Sequence, residues 1–153
     1  MKPEQIDLVK NSFAAISSQA DELSSRFYER LFTDAPDVRA MFPTSMAEQR
    51  GKLIDELTVI VDSLDHLSDL VARTTDLGRR HVEYGTTPHH YQLVREAMLG
   101  AIADVRDDQL TEPERAAWAA AYDLVAETMM YGASHGPTTA AVRPKPSWRT
   151  ARG

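Results

Sequence analysis

Residues 70–85 read LVARTTDLGRRHVEYG and place a histidine where an apolar side chain would be expected. Leu70, Thr74, Leu77, His81 and Tyr84 follow one another at steps of four, three, four and three residues. These steps put the five side chains on one face of an α-helix. The stretch therefore predicts a helix that carries the imidazole of His81 into the core.

The composition restricts the class of protein. The 153 residues suffice for one domain, and 42% apolar with 26% charged residues is typical of a globular chain. A net charge of -6 argues against a nucleic-acid partner, which requires a basic face. The lack of cysteine excludes disulfides, thiolate metal sites and a cysteine nucleophile. With no run of about 18 apolar residues and no hydrophobic signal core, we expect a cytoplasmic protein without a membrane partner.

Helical periodicity extends through most of the chain, which predicts an all-α protein of seven helices and no strand. Pro3 and Pro88 are placed to open the first and sixth helices, and Thr111 with Glu114 forms a possible capping box for the last. Gly85 is placed to end the helix of His81. The other predicted helices cover about 21–34, a short segment from residue 36 that ends before Pro43, and about 46–66.

The composition changes after residue 135. Residues 136–153 contain three prolines, four basic residues and no acidic residue. We expect one folded domain over 1–135 and a flexible, basic, proline-containing tail over 136–153. Such a tail is expected to solubilise the chain rather than to bind a partner, with Trp148 as the one hint of a docking element.

His81 has two explanations when it is considered alone. It is either a core histidine that is hydrogen-bonded to a backbone carbonyl, or a neutral imidazole that ligates haem iron. The other four histidines lie near helix ends and do not show the spacing of a zinc site. Gln49 and Leu53 are one helical turn apart and can reach the same point, and a buried Tyr28 would need a hydrogen-bond partner. A histidine facing such a tyrosine and glutamine across an apolar gap suits a haem.

The spacing of these residues resembles the bacterial haemoglobin family, specifically the single-domain globins and the haem domain of flavohaemoglobins. Phe42 follows Tyr28 by fourteen residues and Pro36 by six, and His81 follows Gln49 by 32. Tyr91 comes ten residues after His81. Trp118 and Tyr122 are similar to the family's last helix, and the resemblance covers about residues 3–131. It implies a globin fold, a three-on-three helical sandwich around a haem b.

The resemblance also implies roles for individual side chains. His81 would be the proximal iron ligand, with Leu77 one turn below it. Tyr28 and Gln49 would form the catalytic or ligand-stabilising pair that hydrogen-bonds dioxygen on the opposite, distal face of the haem. Phe42 would stack on the porphyrin, and Leu53 would limit the space on the distal side. Arg80 would pair with a haem propionate, and Tyr91 would lie near His81 on the proximal side.

Four functions are consistent with this pattern. The first is reversible binding of dioxygen for storage, delivery or scavenging, with nitric oxide and carbon monoxide as further ligands. The second is a nitric oxide dioxygenase that works with a separate reductase, because the chain contains no glycine-rich dinucleotide loop. The third is a haem-based gas sensor, and the fourth is a haem-free interaction module.

The chain departs from the family at one position on the histidine side. The family has a glutamate fifteen residues after the tryptophan of its last helix, where this chain has Ala133. Glu127 lies too early in the sequence to replace it. We therefore do not expect the proximal histidine to be made strongly basic, as the family's oxidative chemistry would require.

Overall fold

A computed structural model describes residues 1–107 and 109–135. Within these ranges the chain is helical and contains no strand, as the periodicity predicted. The α-helices are α1 (Pro3–Ile16), α2 (Ala20–Asp34), α3 (Ala47–Asp62), α4 (Leu67–Glu83), α5 (Pro88–Val105) and α6 (Glu112–Ser134). Short 3₁₀ helices occupy Ser17–Gln19 and Pro36–Met41. The predicted tail and Trp148 lie outside the described residues.

Helix starts and ends agree largely with their sequence signals. Glu114 donates its backbone N–H to Thr111 Oγ1 at 3.2 Å and accepts the Thr111 N–H at 3.1 Å, which is the predicted capping box. Gly85 has a positive φ of 86°, and its N–H bonds to the carbonyl of Val82 while Thr86 N–H bonds to that of His81. This pattern is a Schellman motif, so the helix of His81 ends where the glycine predicted.

Of two predicted helices, one ends earlier than expected, and the other has its expected bounds but a different helix type. The helix expected over 46–66 ends at Asp62, because the N–H of Ser63 already bonds to Ile60 as well as to Val59 and the turn tightens there. A new helix, α4, then starts at Leu67. The segment that begins at Pro36 is a 3₁₀ helix rather than an α-helix, which fits a short stretch confined between two prolines.

The helices pack in two layers. α4 lies along α6 and α2 lies along α5, while α1 packs against α6. The α4–α6 contact is close because of Gly78 and Gly132: a Cβ on Gly78 would collide with the Met129 carbonyl, and one on Gly132 with the Thr75 carbonyl. No helix in the described part of the chain is both long and apolar enough to span a membrane.

Polar contacts tie the helices together at their crossings. The indole Nε1–H of Trp118 donates to Ser12 Oγ at 2.7 Å in the core, which links α6 to α1. The guanidinium of Arg30 donates two hydrogen bonds of 2.7 Å to the Asp104 carboxylate, which joins α2 to α5. This frame leaves a pocket between α3, α4, α5 and α6.

Candidate functional site

A cavity of about 470 Å³ lies between α3, α4, α5 and α6. This volume is within the range of roughly 300–1,000 Å³ typical of small-molecule and cofactor sites. Its walls are mainly apolar and include Leu53, Leu57, Ile60, Leu77, Val94 and Met98. Charged and polar side chains also border it, among them Lys52, Glu56, Arg80 and His90. The cavity thus combines an apolar interior with a few polar groups, as cofactor pockets do.

His81 lines this cavity from the last turn of α4. Its Nδ1 is 2.8 Å from the carbonyl oxygen of Leu77, one turn earlier. Because a carbonyl only accepts, Nδ1 carries the proton and Nε2 keeps a free lone pair. Burial lowers the pKa of His81, which favours the neutral imidazole, and the positive charge of Arg80 acts in the same direction. Both explanations of the sequence pattern are therefore compatible, since the carbonyl hydrogen bond leaves the second nitrogen available as a ligand.

Other predicted residues surround His81. Leu77, Arg80 and Tyr91 line the same cavity. The Arg80 Nε is 3.3 Å from a carboxylate oxygen of Asp76 on the same helix. The Tyr122 hydroxyl donates to the backbone carbonyl of Tyr91 at 2.7 Å, which fixes the first turn of α5 against α6. The structure thus brings the predicted residues on the His81 side together.

Tyr28 and Gln49 contact each other although 21 residues separate them. The Gln49 Nε2–H₂ donates to the phenolic oxygen of Tyr28 at 3.2 Å. Burial raises the pKa of Tyr28 to about 12, while the hydrogen bond from Gln49 acts in the opposite direction. The phenol is therefore neutral at physiological pH and keeps its own O–H as a donor. Gln49 Oε1 is buried and has no hydrogen-bond partner among the described residues.

Phe42 belongs to the same group of side chains as Tyr28. Its ring centroid lies 5.6 Å from that of Tyr28 in an edge-on arrangement and 5.4 Å from that of Phe32. Tyr28, Gln49 and Phe42 are absent from the lining of the cavity, whereas Leu53, one turn after Gln49 on α3, belongs to it. The predicted site residues thus form two groups, one around His81 and one around Tyr28, with α3 contributing to both.

Sequence reasoning missed some residues of the site. His90 borders the cavity, and its Nδ1 accepts the backbone N–H of Thr87 at 2.9 Å, which caps α5. The sequence signal that could have identified His90 is its position in the first turn of a helix, directly after Thr87 and Pro88. Val9 and Trp118 also reach the cavity, from α1 and α6. Among the described residues, no cluster of three or more histidine, cysteine or acidic side chains could hold a metal ion.

The donor set fits a haem. One neutral imidazole with a free Nε2 in a mainly apolar cavity matches single-histidine ligation of haem iron. The unused hydrogen-bonding capacity of Tyr28 and Gln49 is a second feature that a small polar ligand would satisfy.

Comparison with known proteins identifies the class. The sequence profile of the Globin family matches residues 25–129, more than half of the chain, and the chain belongs to this family of haem proteins. It is 30% identical over 130 residues to an uncharacterized globin-like protein of Aquifex aeolicus, which covers 85% of this chain and 92% of the relative.

Flavohaemoproteins and solved bacterial globins are also similar. The flavohaemoprotein of Vibrio cholerae is 25% identical over 130 residues, which are 83% of this chain and 33% of that protein. The chain therefore spans about a third of such relatives. The bacterial globin of Campylobacter jejuni superimposes with a TM-score of 0.77 at 24% identity, over 87% of this chain and 96% of that one. An engineered carbene transferase from Rhodothermus marinus, itself a candidate nitric oxide dioxygenase, gives 0.78 at 28% identity, over 88% and 94%. The expected globin fold is confirmed.

Proposed function

We propose that this chain binds dioxygen reversibly at a haem that His81 ligates through Nε2. When bound, the haem would supply an iron centre able to take up diatomic gases. The observation that carries the proposal is the hydrogen-bonded pair of Tyr28 and Gln49. A neutral, buried phenol whose oxygen is held by an amide can direct its O–H toward dioxygen and stabilise the negative charge that dioxygen acquires on binding.

The remaining residues of the site would hold the cofactor. The Leu77 carbonyl fixes the His81 ring and its tautomer, so that Nε2 is the ligating atom. Arg80 would pair with a haem carboxylate, Phe42 would stack on the porphyrin and Tyr91 would lie on the His81 side. Leu53 would limit the space beside the bound gas. A chain without cysteine has no thioether attachment, which favours haem b.

The folded unit would be a globin domain over residues 1–135, followed by a basic tail over 136–153. This division rests on the composition, since the tail lies outside the described residues.

The visible absorption spectrum of the purified protein tests the proposal. We expect a Soret band in the ferric state that shifts on reduction and again on addition of carbon monoxide. Removal of the gas should restore the ferrous spectrum, and oxygen should bind and leave in the same way. A protein that shows no Soret band after incubation with hemin would contradict the proposal.

Nitric oxide dioxygenation with a separate reductase is a second candidate function. It is supported by the flavohaemoprotein relatives and by the candidate dioxygenase of Rhodothermus marinus. The Nδ1–H of His81 bonds to the neutral carbonyl of Leu77, and this favours the carrier function because a carboxylate acceptor at that nitrogen would increase the basicity of the imidazole more strongly. Consumption of nitric oxide by the oxygenated protein separates the two. Sustained turnover with a flavin reductase would favour the enzyme, and a single turnover that ends in ferric protein would favour the carrier.

A further inference from the structure

Arg39 holds the corner of the chain that connects the 3₁₀ helix to α3. Its guanidinium donates to three consecutive backbone carbonyls, at 3.3 Å to Phe42, 2.8 Å to Pro43 and 2.8 Å to Thr44. The same guanidinium lies over the ring of Phe32, with its carbon 5.3 Å from the ring centroid. A planar guanidinium can do this because its five N–H donors have a fixed fork geometry.

We define the corner as residues 42–46, between Met41, the last residue of the 3₁₀ helix, and Ala47, the first of α3. Only the Met46 carbonyl takes part in the regular pattern of α3, by accepting the N–H of Arg50, so the other carbonyls of the corner depend on partners outside that pattern. Three of its five carbonyls accept from Arg39. The guanidinium is therefore the main polar anchor that the structure gives to the corner.

The corner carries Phe42 and leads directly to Gln49. The ring of Phe42 packs edge-on against Tyr28 and Phe32, and Gln49 in the first turn of α3 donates to the Tyr28 hydroxyl. A displacement of the corner would therefore move the ring that packs on Tyr28 and the start of the helix that holds its hydroxyl. Such a displacement changes where the phenolic O–H points.

We propose that Arg39 is a positioning residue for dioxygen binding, which acts by clamping the corner so that Phe42 and Gln49 orient Tyr28. This inference rests on the proposed function. It goes beyond that function because Arg39 acts through Phe42 and Gln49, which contact Tyr28, and is not itself assigned as a donor to the gas. Loss of the clamp should weaken the stabilisation of dioxygen only while Tyr28 has a hydroxyl to misplace.

The test is a double-mutant cycle on the oxygen dissociation rate, measured by stopped-flow with carbon monoxide as the replacing ligand. In the otherwise native protein, Arg39→Met should increase the rate about tenfold, because a hydrogen bond weakens steeply when its donor is misplaced. In the Tyr28→Phe background the same substitution should leave the rate unchanged. Equal increases in both backgrounds, or no increase in the native background, would overturn the inference.

A control variant and a spectroscopic measurement test whether the effect comes from the corner. Arg30→Met removes a bidentate ion pair on the same helix as Tyr28 but away from the corner, so it should not change the dissociation rate. The C–O stretching frequency of the carbonyl complex should shift in the same direction for Arg39→Met and Tyr28→Phe. A frequency that shifts with Tyr28→Phe and stays at the native value with Arg39→Met would contradict the positioning role.

Hydrogen exchange distinguishes failure of the inference from failure of the proposed function. Arg39→Met should increase amide exchange over residues 42–50 relative to α6, and this holds whether or not the protein carries oxygen. If exchange in Arg39→Met equals that of the native protein, the clamp is refuted. If the native protein binds no oxygen while Arg39→Met still exchanges faster over 42–50, the proposed function fails and the clamp stands. If Arg39→Met does not fold, Arg39→Lys takes its place, because it keeps the positive charge without the forked geometry of the guanidinium. It should show smaller increases in the oxygen dissociation rate and in amide exchange.

Discussion

The substitution Tyr28→Phe tests the chemistry of the site most directly. It removes one hydroxyl group from a side chain that is only 6% exposed and keeps the ring that packs against Phe27, Phe32 and Phe42. Ring packing and cofactor contacts should therefore survive. The hydrogen bond to Gln49 is lost together with the donor that we assign to dioxygen.

The magnitude follows from the state of the phenol. Its pKa of about 12 means that it is a neutral O–H donor at any pH at which the protein would be assayed. A hydrogen bond to a charged partner contributes about 1.5–3 kcal/mol, which corresponds to roughly 10- to 150-fold in affinity. Most of this change should appear in the dissociation rate, because association depends mainly on access to the site. We therefore expect oxygen to leave Tyr28→Phe at least about tenfold faster.

Stopped-flow replacement of oxygen by carbon monoxide measures this rate, with Tyr131→Phe as the matched control. The side chain of Tyr131 is 57% exposed, and its ring stacks on His135 at the end of α6, so its hydroxyl should not affect the rate. In the native protein the rate should also stay constant up to about pH 10, because the raised pKa keeps the phenol protonated. An unchanged rate in Tyr28→Phe would refute the assignment of Tyr28 as the donor.

The other predictions concern the cofactor ligand, the core and one ion pair. His81→Ala should abolish stable haem retention, and a normal haem-to-protein ratio in the purified variant would contradict its role as ligand. Ser12→Ala should lower the free energy of unfolding by about 1–3 kcal/mol in urea titrations, because the buried indole N–H of Trp118 loses its acceptor; an unchanged midpoint would show that another acceptor replaces Ser12. Asp104→Asn should lower the free energy of unfolding by about 0.2–1 kcal/mol at neutral pH in the same titrations, since the ion pair with Arg30 is partly exposed. The hydrogen bond from Arg30 lowers the pKa of Asp104, so this contribution is present above the ordinary carboxyl pKa of about 3.9 and is lost as the pH falls through the lowered value. A native–variant difference that persists at lower pH would contradict this assignment.

Local signals in the sequence predicted most of the helical frame. The capping box of Thr111 and Glu114 and the glycine after the helix of His81 act within a few residues, and both have their expected geometry. The end of α3 at Asp62 was not predicted, because the apolar pattern continues to Leu64 while the backbone turns earlier. Periodicity reports which side chains are buried, and residues beyond a helix end can still be buried.

Some features of the site could be predicted from local sequence signals, and others could not. The position of His81 on the cavity wall could be predicted because its signal is local, a polar residue on an apolar helical stripe. The prediction that Tyr28 and Gln49 share one site rested on the resemblance to bacterial haemoglobins, and the hydrogen bond between them was not predicted, since 21 residues separate the pair and no pattern along the chain connects them. The bond between Trp118 and Ser12 was outside the reach of sequence reasoning for the same reason, because a separation of 106 residues is bridged only by the packing of α1 on α6.

The two groups of site residues also differ in what holds them, and this difference makes their functions separable. His81 is oriented by the Leu77 carbonyl of its own helix, so its geometry is present whenever α4 is folded. Tyr28 contacts Phe42 of the corner and Gln49 of α3, and Arg39 of the 3₁₀ helix holds the corner through its backbone carbonyls. Loss of the Arg39 contacts to the corner should therefore alter the stability of bound oxygen more than the retention of the cofactor, whereas changes in the last turn of α4 should release the cofactor itself. If the proposed function holds, substitutions at Arg39 should change the affinity for the gas while His81 still retains the haem.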